Sequence, residues 1–173
     1  MEKTLVIVSS QTGFTSRYAQ WLAEDTGADV VALEKVLPRT ADPYQTIVFG
    51  SAVYGGEYGN AKKFRKLRQK YKDKTFLYYA TGIRPPTEQT INAIRSNNFP
   101  NLAQASLFYF QGGLNREKLD VAKKTLLTCY GAMIRRRGEI REEDDVFLDR
   151  IQRSGDYTDR DSVAPLTQKV LEL

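Results

Sequence analysis

Histidine is absent from this chain of 173 residues, which removes imidazole acid–base catalysis and imidazole-ligated metals. The single cysteine, Cys129, permits no internal disulfide and suits a reducing compartment. No apolar run approaches the roughly 20 residues that a membrane-crossing helix needs. An apolar strand pattern begins within the first few residues, so no signal peptide is expected and the expected location is the cytoplasm. Gly-x-x-x-x-Gly-Lys-Ser/Thr does not occur, which excludes a nucleoside-triphosphate loop of that pattern. Gly-x-Gly-x-x-Gly does not occur either, so a dinucleotide pyrophosphate is not the obvious guest. Internal repeats and low-complexity tracts are missing too.

What is present suffices for one well-filled domain over residues 1–173, with 41% hydrophobic residues. The formal net charge of +5 is unevenly placed: residues 61–74 hold eight Lys or Arg against Asp73 alone. Such a patch attracts nucleic acid, anionic lipid or an acidic small molecule. The plainer reading is the solvated face of a helix whose buried stripe is Phe64, Leu67 and Tyr71. No nucleic-acid partner is expected, while peripheral contact with a membrane through the basic surface stays open.

Strand and helix patterns alternate, which predicts an α/β fold around a parallel sheet. Strands are expected at 5–8, 29–33, 46–50, 75–80 and 106–110. Helices are expected from Thr15 to about Asp25, with Tyr18, Ala19, Leu22 and Ala23 inward and Gly27 as the stop. Further helices are expected at 61–71, from a Thr87 cap through Ser96, and from Asp161 or Ser162 onward with Pro165 in the first turn. That last helix would bury Val163, Leu166, Val170 and Leu173. Right-handed crossovers give five strands the order 2-1-3-4-5, in which ligands sit beyond the strand C-termini between strands one and three.

The turn after strand one, Ser10-Gln11-Thr12-Gly13-Phe14-Thr15, leads from a buried strand into a helix through hydroxyls and a glycine. Helix N-terminal N–H groups, the helix dipole and three hydroxyls suit a phosphomonoester such as that of FMN. The alternative is an ordinary turn with Thr15 or Ser16 as N-cap. The turns after strands three (51–58) and four (81–84) are also rich in small residues and converge on the same edge, which favours the phosphate site. Residues 111–161 are too many for a simple loop. They contain a helical pattern with Asn115 as N-cap, Leu119, Ala122, Leu126, Tyr130 and Ile134 on one face, and Arg135, Arg136, Arg137 and Gly138 at its end.

These loops resemble those of the flavodoxin family over essentially the full length. Ser10-x-Thr12-Gly13-Phe14-Thr15 is similar to the family's FMN-phosphate loop. Gly50-Ser51-Ala52-Val53-Tyr54-Gly55 is similar to the loop beside the flavin ring. The resemblance implies FMN as cofactor, held by Ser10, Gln11, Thr12, Gly13, Phe14, Thr15, Ser51, Ala52, Val53, Tyr54, Gly55, Thr81 and Gly82. The long segment before Tyr157-Thr158-Asp159 is similar to that of the flavodoxin-type protoporphyrinogen oxidases, which are quinone-linked dehydrogenases of haem biosynthesis. That likeness implies an oxidoreductase with a small-molecule electron donor and a quinone or protein acceptor. An electron-carrier flavodoxin and an NAD(P)H:quinone reductase are the alternatives.

Two departures stand out. Phe14 replaces the family's usual Asn, which removes a polar contact and is expected to loosen the turn. The loop Ala80-Thr81-Gly82-Ile83-Arg84 has no aromatic ring to cover the flavin, so one flavin face is expected to lie open to a substrate. Tyr54 is read either as the stacking ring for the other face or as a half-buried loop aromatic. Arg84 is a candidate for the pyrimidine edge or an anionic substrate, or else a solvated arginine. Arg135, Arg136 and Arg137 are candidates for the substrate side, or else complement the helix dipole. Cys129 and Arg135 match a Cys-x5-Arg spacing, but bulky residues on a helix make a buried structural thiol the expectation. The acidic run 139–145 lacks a calcium-loop pattern and is expected to be solvated or paired with the neighbouring arginines.

Overall fold

The computed structural model describes residues 3–101 and 106–173. Its main sheet runs in the order β2 (Asp29–Ala32), β1 (Thr4–Ser9), β3 (Thr46–Tyr54), β5 (Thr75–Gly82) and β6 (Leu107–Gln111). All these neighbours are parallel, and a two-residue strand β4 (Glu57–Tyr58) adds antiparallel to β3. Without β4 the order is the expected 2-1-3-4-5. Register aligns Ser9 with Ser51 and Ser51 with Ala80, so the first three loops leave one edge side by side.

The strands read as continuous apolar runs because both faces are covered. One face carries Ile7, Ile47, Phe49 and Tyr78 against Phe64 of α2 (Ala61–Lys70) and Ile94 of α3 (Glu88–Asn98). The other carries Val6, Val48, Leu77 and Tyr79 against Leu22 of α1 (Phe14–Thr26) and Leu166 of α6 (Ala164–Leu171). Thr87 caps α3 by accepting from the Thr90 N–H at 3.1 Å.

β3 extends four residues past Gly50, because the β4 hairpin partners its end at Val53 and Tyr54. The last helix opens as a 3-10 turn at Asp161–Val163, and Leu173 lies beyond it, 41% exposed instead of buried. α1 begins at Phe14 rather than after a Thr15 or Ser16 cap, since Gly13 takes the left-handed φ of 94° at its N-cap.

The segment after β6 is ordered structure with its own apolar cluster. It holds β7 (Gly113–Leu114), α4 (Val121–Arg136), α5 (Glu142–Arg150) and β8 (Gly155–Asp156), with β7 and β8 paired antiparallel. Asn115, the expected cap, accepts from the Lys118 N–H at 3.3 Å, but this closes only a turn and does not open α4. Leu119 is drawn into the cluster at 4% exposure, and Asp120 caps α4 by accepting from the Lys123 N–H at 2.8 Å. The buried face is therefore Leu127, Gly131 and Ile134, while Ala122 and Leu126 face solvent. Gly131 permits that contact: a Cβ there would lie 2.7 Å from the Ile151 side chain. Cys129 sits two residues from both Leu127 and Gly131, which is about 200° around the helix. It is exposed, contrary to expectation. Glu142, Glu143, Asp144 and Asp145 of the acidic run become the first turn of α5, where the helix dipole favours anions.

Candidate functional site

A cleft of about 550 Å³ opens beyond the C-terminal ends of β1, β3 and β5, within the usual range for small-molecule sites. Thr12, Phe14 and Thr15 reach it from the first loop, Ala52, Val53, Tyr54 and Gly55 from the second, and Thr81, Gly82 and Arg84 from the third. Three of the expected first-loop ligands and Ser51 are not among its lining residues. Ser10 Oγ accepts from the Gly13 N–H at 3.1 Å and so shapes the turn. Gln11 points outward, toward Asp120 at 3.5 Å. Gly13 contributes its backbone bend, with open space on the side where a Cβ would project. Ser51 belongs to β3, 2% exposed, and its hydroxyl packs under Gly59.

The first loop is fixed from below by Tyr79, and the strands beside it by Tyr58. Tyr79 crosses over Gly50, where a Cβ would lie 2.1 Å from its ring, and donates to the Thr15 carbonyl at 2.9 Å. Burial pushes the Tyr79 phenol far above its ordinary pKa, so it remains a proton donor. Tyr58 donates to the Phe49 carbonyl at 2.8 Å, and burial raises its pKa in the same way. The Thr15 and Thr81 hydroxyls share a hydrogen bond of 2.7 Å, joining loops one and three. One proton occupies that bond, leaving the second hydroxyl proton free to donate elsewhere.

Phe14 does not loosen the turn. Its ring packs onto Gly113, where a Cβ would lie 2.4 Å from it. The Arg17 guanidinium sits 5.7 Å from the ring centroid and donates to Asp156 at 2.6 Å and Thr158 at 2.7 Å. Burial pushes the Asp156 carboxyl up, but the bonds from Arg17 and Thr158 outweigh it and hold it below the usual carboxylate range. An apolar anchor has thus taken over from the family's polar residue.

Arg84 is committed within the protein. Its guanidinium lies over Phe147 at 4.7 Å and pairs with Asp144 at 2.9 Å. From α5, Glu143 also accepts from Thr87 at 2.7 Å, and Arg150 donates to the Ile83 carbonyl at 2.7 Å. Asp144 and Glu143 therefore hold the third loop and the α3 cap rather than the neighbouring arginines, while Glu139, Glu142 and Asp145 are exposed as expected. Arg135, Arg136 and Arg137 are all exposed, and only Arg137 lines the cleft.

Tyr54 lies at the α4 side of the cleft. Lys123 Nζ stands 5.1 Å from its ring centroid and also donates to Gln11. Burial first, then the Asp120 charge, raises the Tyr54 phenol pKa. Sequence reasoning missed Asp144, Phe147, Arg141 and the α3 residues Ala93 and Asn97, which also line the cleft. The signal for α5 was an acidic quartet followed at helical spacing by Phe147 and Leu148.

A doubly wound parallel sheet with its cleft at the strand-order switch defines a protein built to hold a ligand at the ends of β1 and β3. A family model described as the flavodoxin domain matches residues 5–138, and the chain belongs to that family. Membership implies a flavin cofactor, and the chain contains a flavodoxin-like flavoprotein domain. No curated protein sequence matches the chain. Among solved structures, it is similar to the Trp repressor binding protein from Bacillus subtilis, with 13% identity and a TM-score of 0.48. That similarity covers 78% of this chain and 98% of the other. It is also similar to a flavodoxin from the domain Archaea, with 13% identity, a TM-score of 0.43, and coverage of 87% and 99%. No helix among the described residues is long and apolar enough to cross a membrane.

The first loop fits a flavin phosphate. The opening N–H groups of α1 have no acceptor within the helix. Gly13 leaves open space at its Cα, and Thr12 turns to the cleft. Hydroxyl and backbone donors without a lysine suit one phosphomonoester.

Proposed function

We propose that the protein is an FMN-dependent oxidoreductase that acts on a substrate held beside the flavin. The observation that carries this reading is that the cleft continues past the flavin loops into a chamber. Its walls are Ala93 and Ile94 of α3, Leu127, Tyr130 and Met133 of α4, and Phe147 of α5. A carrier that passes electrons through an exposed ring edge has no use for such walls.

When bound, FMN supplies hydride and electron acceptance at its ring. The chain's residues do the rest. Thr12 and the α1 N-terminus hold the phosphate, and Tyr79 fixes the loop by its bond to the Thr15 carbonyl. The Thr15–Thr81 bond sets the spacing between the phosphate and ring loops. α4 and α5 exclude water from one side, and Arg137 and Arg141 at the chamber mouth offer cations to a carboxylated substrate. A flat apolar ring with peripheral carboxylates matches these walls, and protoporphyrinogen is the substrate we propose on that basis. The electrons then leave to a quinone or a protein. The proposal includes a cytoplasmic location with peripheral membrane contact through the exposed arginines at the end of α4.

The test is anaerobic mixing of the flavin-loaded protein with protoporphyrinogen and, separately, with NAD(P)H, following loss of oxidised flavin absorbance. Rapid bleaching by protoporphyrinogen alone is expected. Bleaching only by NAD(P)H makes it a quinone reductase, and bleaching by neither makes it a carrier.

A further inference from the structure

We propose that the outer face of α2 is the docking surface for an acidic protein partner. The helix buries Phe64 and turns Lys62, Lys63, Arg65 and Lys66 to solvent. These four are neighbours at i, i+3 and i+4, a single cationic face on its first two turns. Local helix stability does not call for them there. The first turn contains no acidic residue, the dipole disfavours cations at that end, and Lys62 repels Lys66 across one turn. None of the four joins an ion pair among the described residues.

The cations farther along are used differently. Lys70 donates to the Pro38 carbonyl, Lys74 donates to the Asp42 carbonyl at 3.0 Å, and Arg68 lies against the Tyr78 phenol. Uncompensated charge is thus concentrated on the N-terminal half of α2. Asn60, just before the helix, donates to Ser9 Oγ at 2.7 Å beside the phosphate loop. The Gly59 N–H donates to the Ala52 carbonyl at 3.0 Å, and Ala52 lines the cleft. A protein seated on Lys62, Lys63, Arg65 and Lys66 therefore lies against the rim of the flavin site.

The chemistry of the face selects the kind of partner. No large apolar side chain stands among the four cations to enter a bilayer. Phe64 is buried and Tyr71, just past the helix, has Lys70 at 4.8 Å and Lys74 at 5.5 Å, so neither ring offers a free platform for a base. A cationic face without apolar anchors suits a carboxylate-rich protein surface that docks fast and reversibly. That this partner exchanges electrons with the cleft rests on the flavin reading; the docking itself does not.

The experiment uses an acidic ferredoxin as probe, labelled for fluorescence anisotropy and titrated with the full chain, both flavin-free and flavin-loaded. Binding is expected in both forms, weakening at least about tenfold between about 0.02 and 0.2 M salt. The triple variant Lys62→Gln, Lys63→Gln, Lys66→Gln is expected to lose about tenfold or more, with flavin uptake and thermal stability unchanged. A control variant, Lys124→Gln on α4, is expected to bind as the native protein does. Equal affinity in the triple variant overturns the proposal. So does tighter, salt-dependent binding of duplex DNA or of phosphatidylglycerol vesicles than of the ferredoxin. Failure of flavin uptake with ferredoxin binding intact would sink the flavin reading and leave the docking face standing.

Discussion

Breaking the Arg84–Asp144 pair tests whether α5 latches the third loop of the cleft. The carboxylate side chain is 9% exposed and the guanidinium 18%, at 2.9 Å. Removing one partner of a fully buried pair costs about 3–5 kcal/mol. Here the guanidinium retains some water and the faces of Phe147 and Tyr130, at 4.7 and 5.7 Å, so the cost falls at or just below that range. We expect Asp144→Asn and Arg84→Met each to cost about 2–3 kcal/mol. For a chain of this size that is roughly a 5–10 °C fall in Tm. The double variant leaves no unpaired charge and keeps the aromatic packing. Its loss is expected to be no larger than either single loss, a coupling of about 2–3 kcal/mol. Thermal and urea unfolding of the four proteins measure this directly, and flavin dissociation is expected to speed up in both single variants. Losses that add within about 0.5 kcal/mol would refute the latch.

Two further outcomes follow from the loop and from the buried tyrosines. The protein is expected to bind FMN more tightly than riboflavin, and Thr12→Val to weaken FMN roughly tenfold with riboflavin little changed, since a charge-assisted hydrogen bond contributes about 1.5–3 kcal/mol. Equal losses for both flavins in a fluorescence titration would show that the loop holds no phosphate. Burial raises the pKa of Tyr58, Tyr79 and Tyr109, so the fold favours their protonated forms. Their contribution to stability is complete below the unfolded pKa of about 10 and lost as pH rises above it. Alkaline titration should show phenolate absorbance from the other tyrosines first, with these three ionising only as circular dichroism is lost. Ionisation of all ten tyrosines in an intact fold would contradict the buried positions.

The sheet was legible because its signals are local. Four consecutive apolar residues at 5–8, and a Ser-Gln-Thr-Gly turn before a helical stripe, each force one local structure. Their alternation then leaves few topologies. The convergence of three loops followed from strand order alone. The region after β6 was harder, because its helices face a small cluster that only tertiary contact defines. By residue type Asp120 can cap a helix as well as the expected Asn115, and the decision rests on where Leu119 finds apolar neighbours. The expected face kept Leu119 and Ile134 but took Ala122 and Leu126 in place of Leu127 and Gly131, and the bulky neighbours of Cys129 suggested a burial that the helix phase does not give it. Phe14 posed a similar difficulty, since a ring in a phosphate loop means little without Gly113, which is distant in sequence. Arg84 looked free because its carboxylate lies 60 residues away.

The paired strands β7 and β8 make residues 115–154 a closed excursion. The chain leaves the sheet at Gly113-Leu114 and returns beside the same spot at Gly155-Asp156. Ends already held side by side place little topological demand on what lies between them. A tight turn from Leu114 to Gly155 would leave the threading of β1–β6, α1–α3 and α6 unchanged. It would also strip α4 and α5 from Tyr54 and Ile83. The walls that give the cleft a chamber are in this sense a detachable module. Exchanging it would change what reaches the flavin at the cost of the bonds that α5 gives the third loop through Asp144 and Arg150.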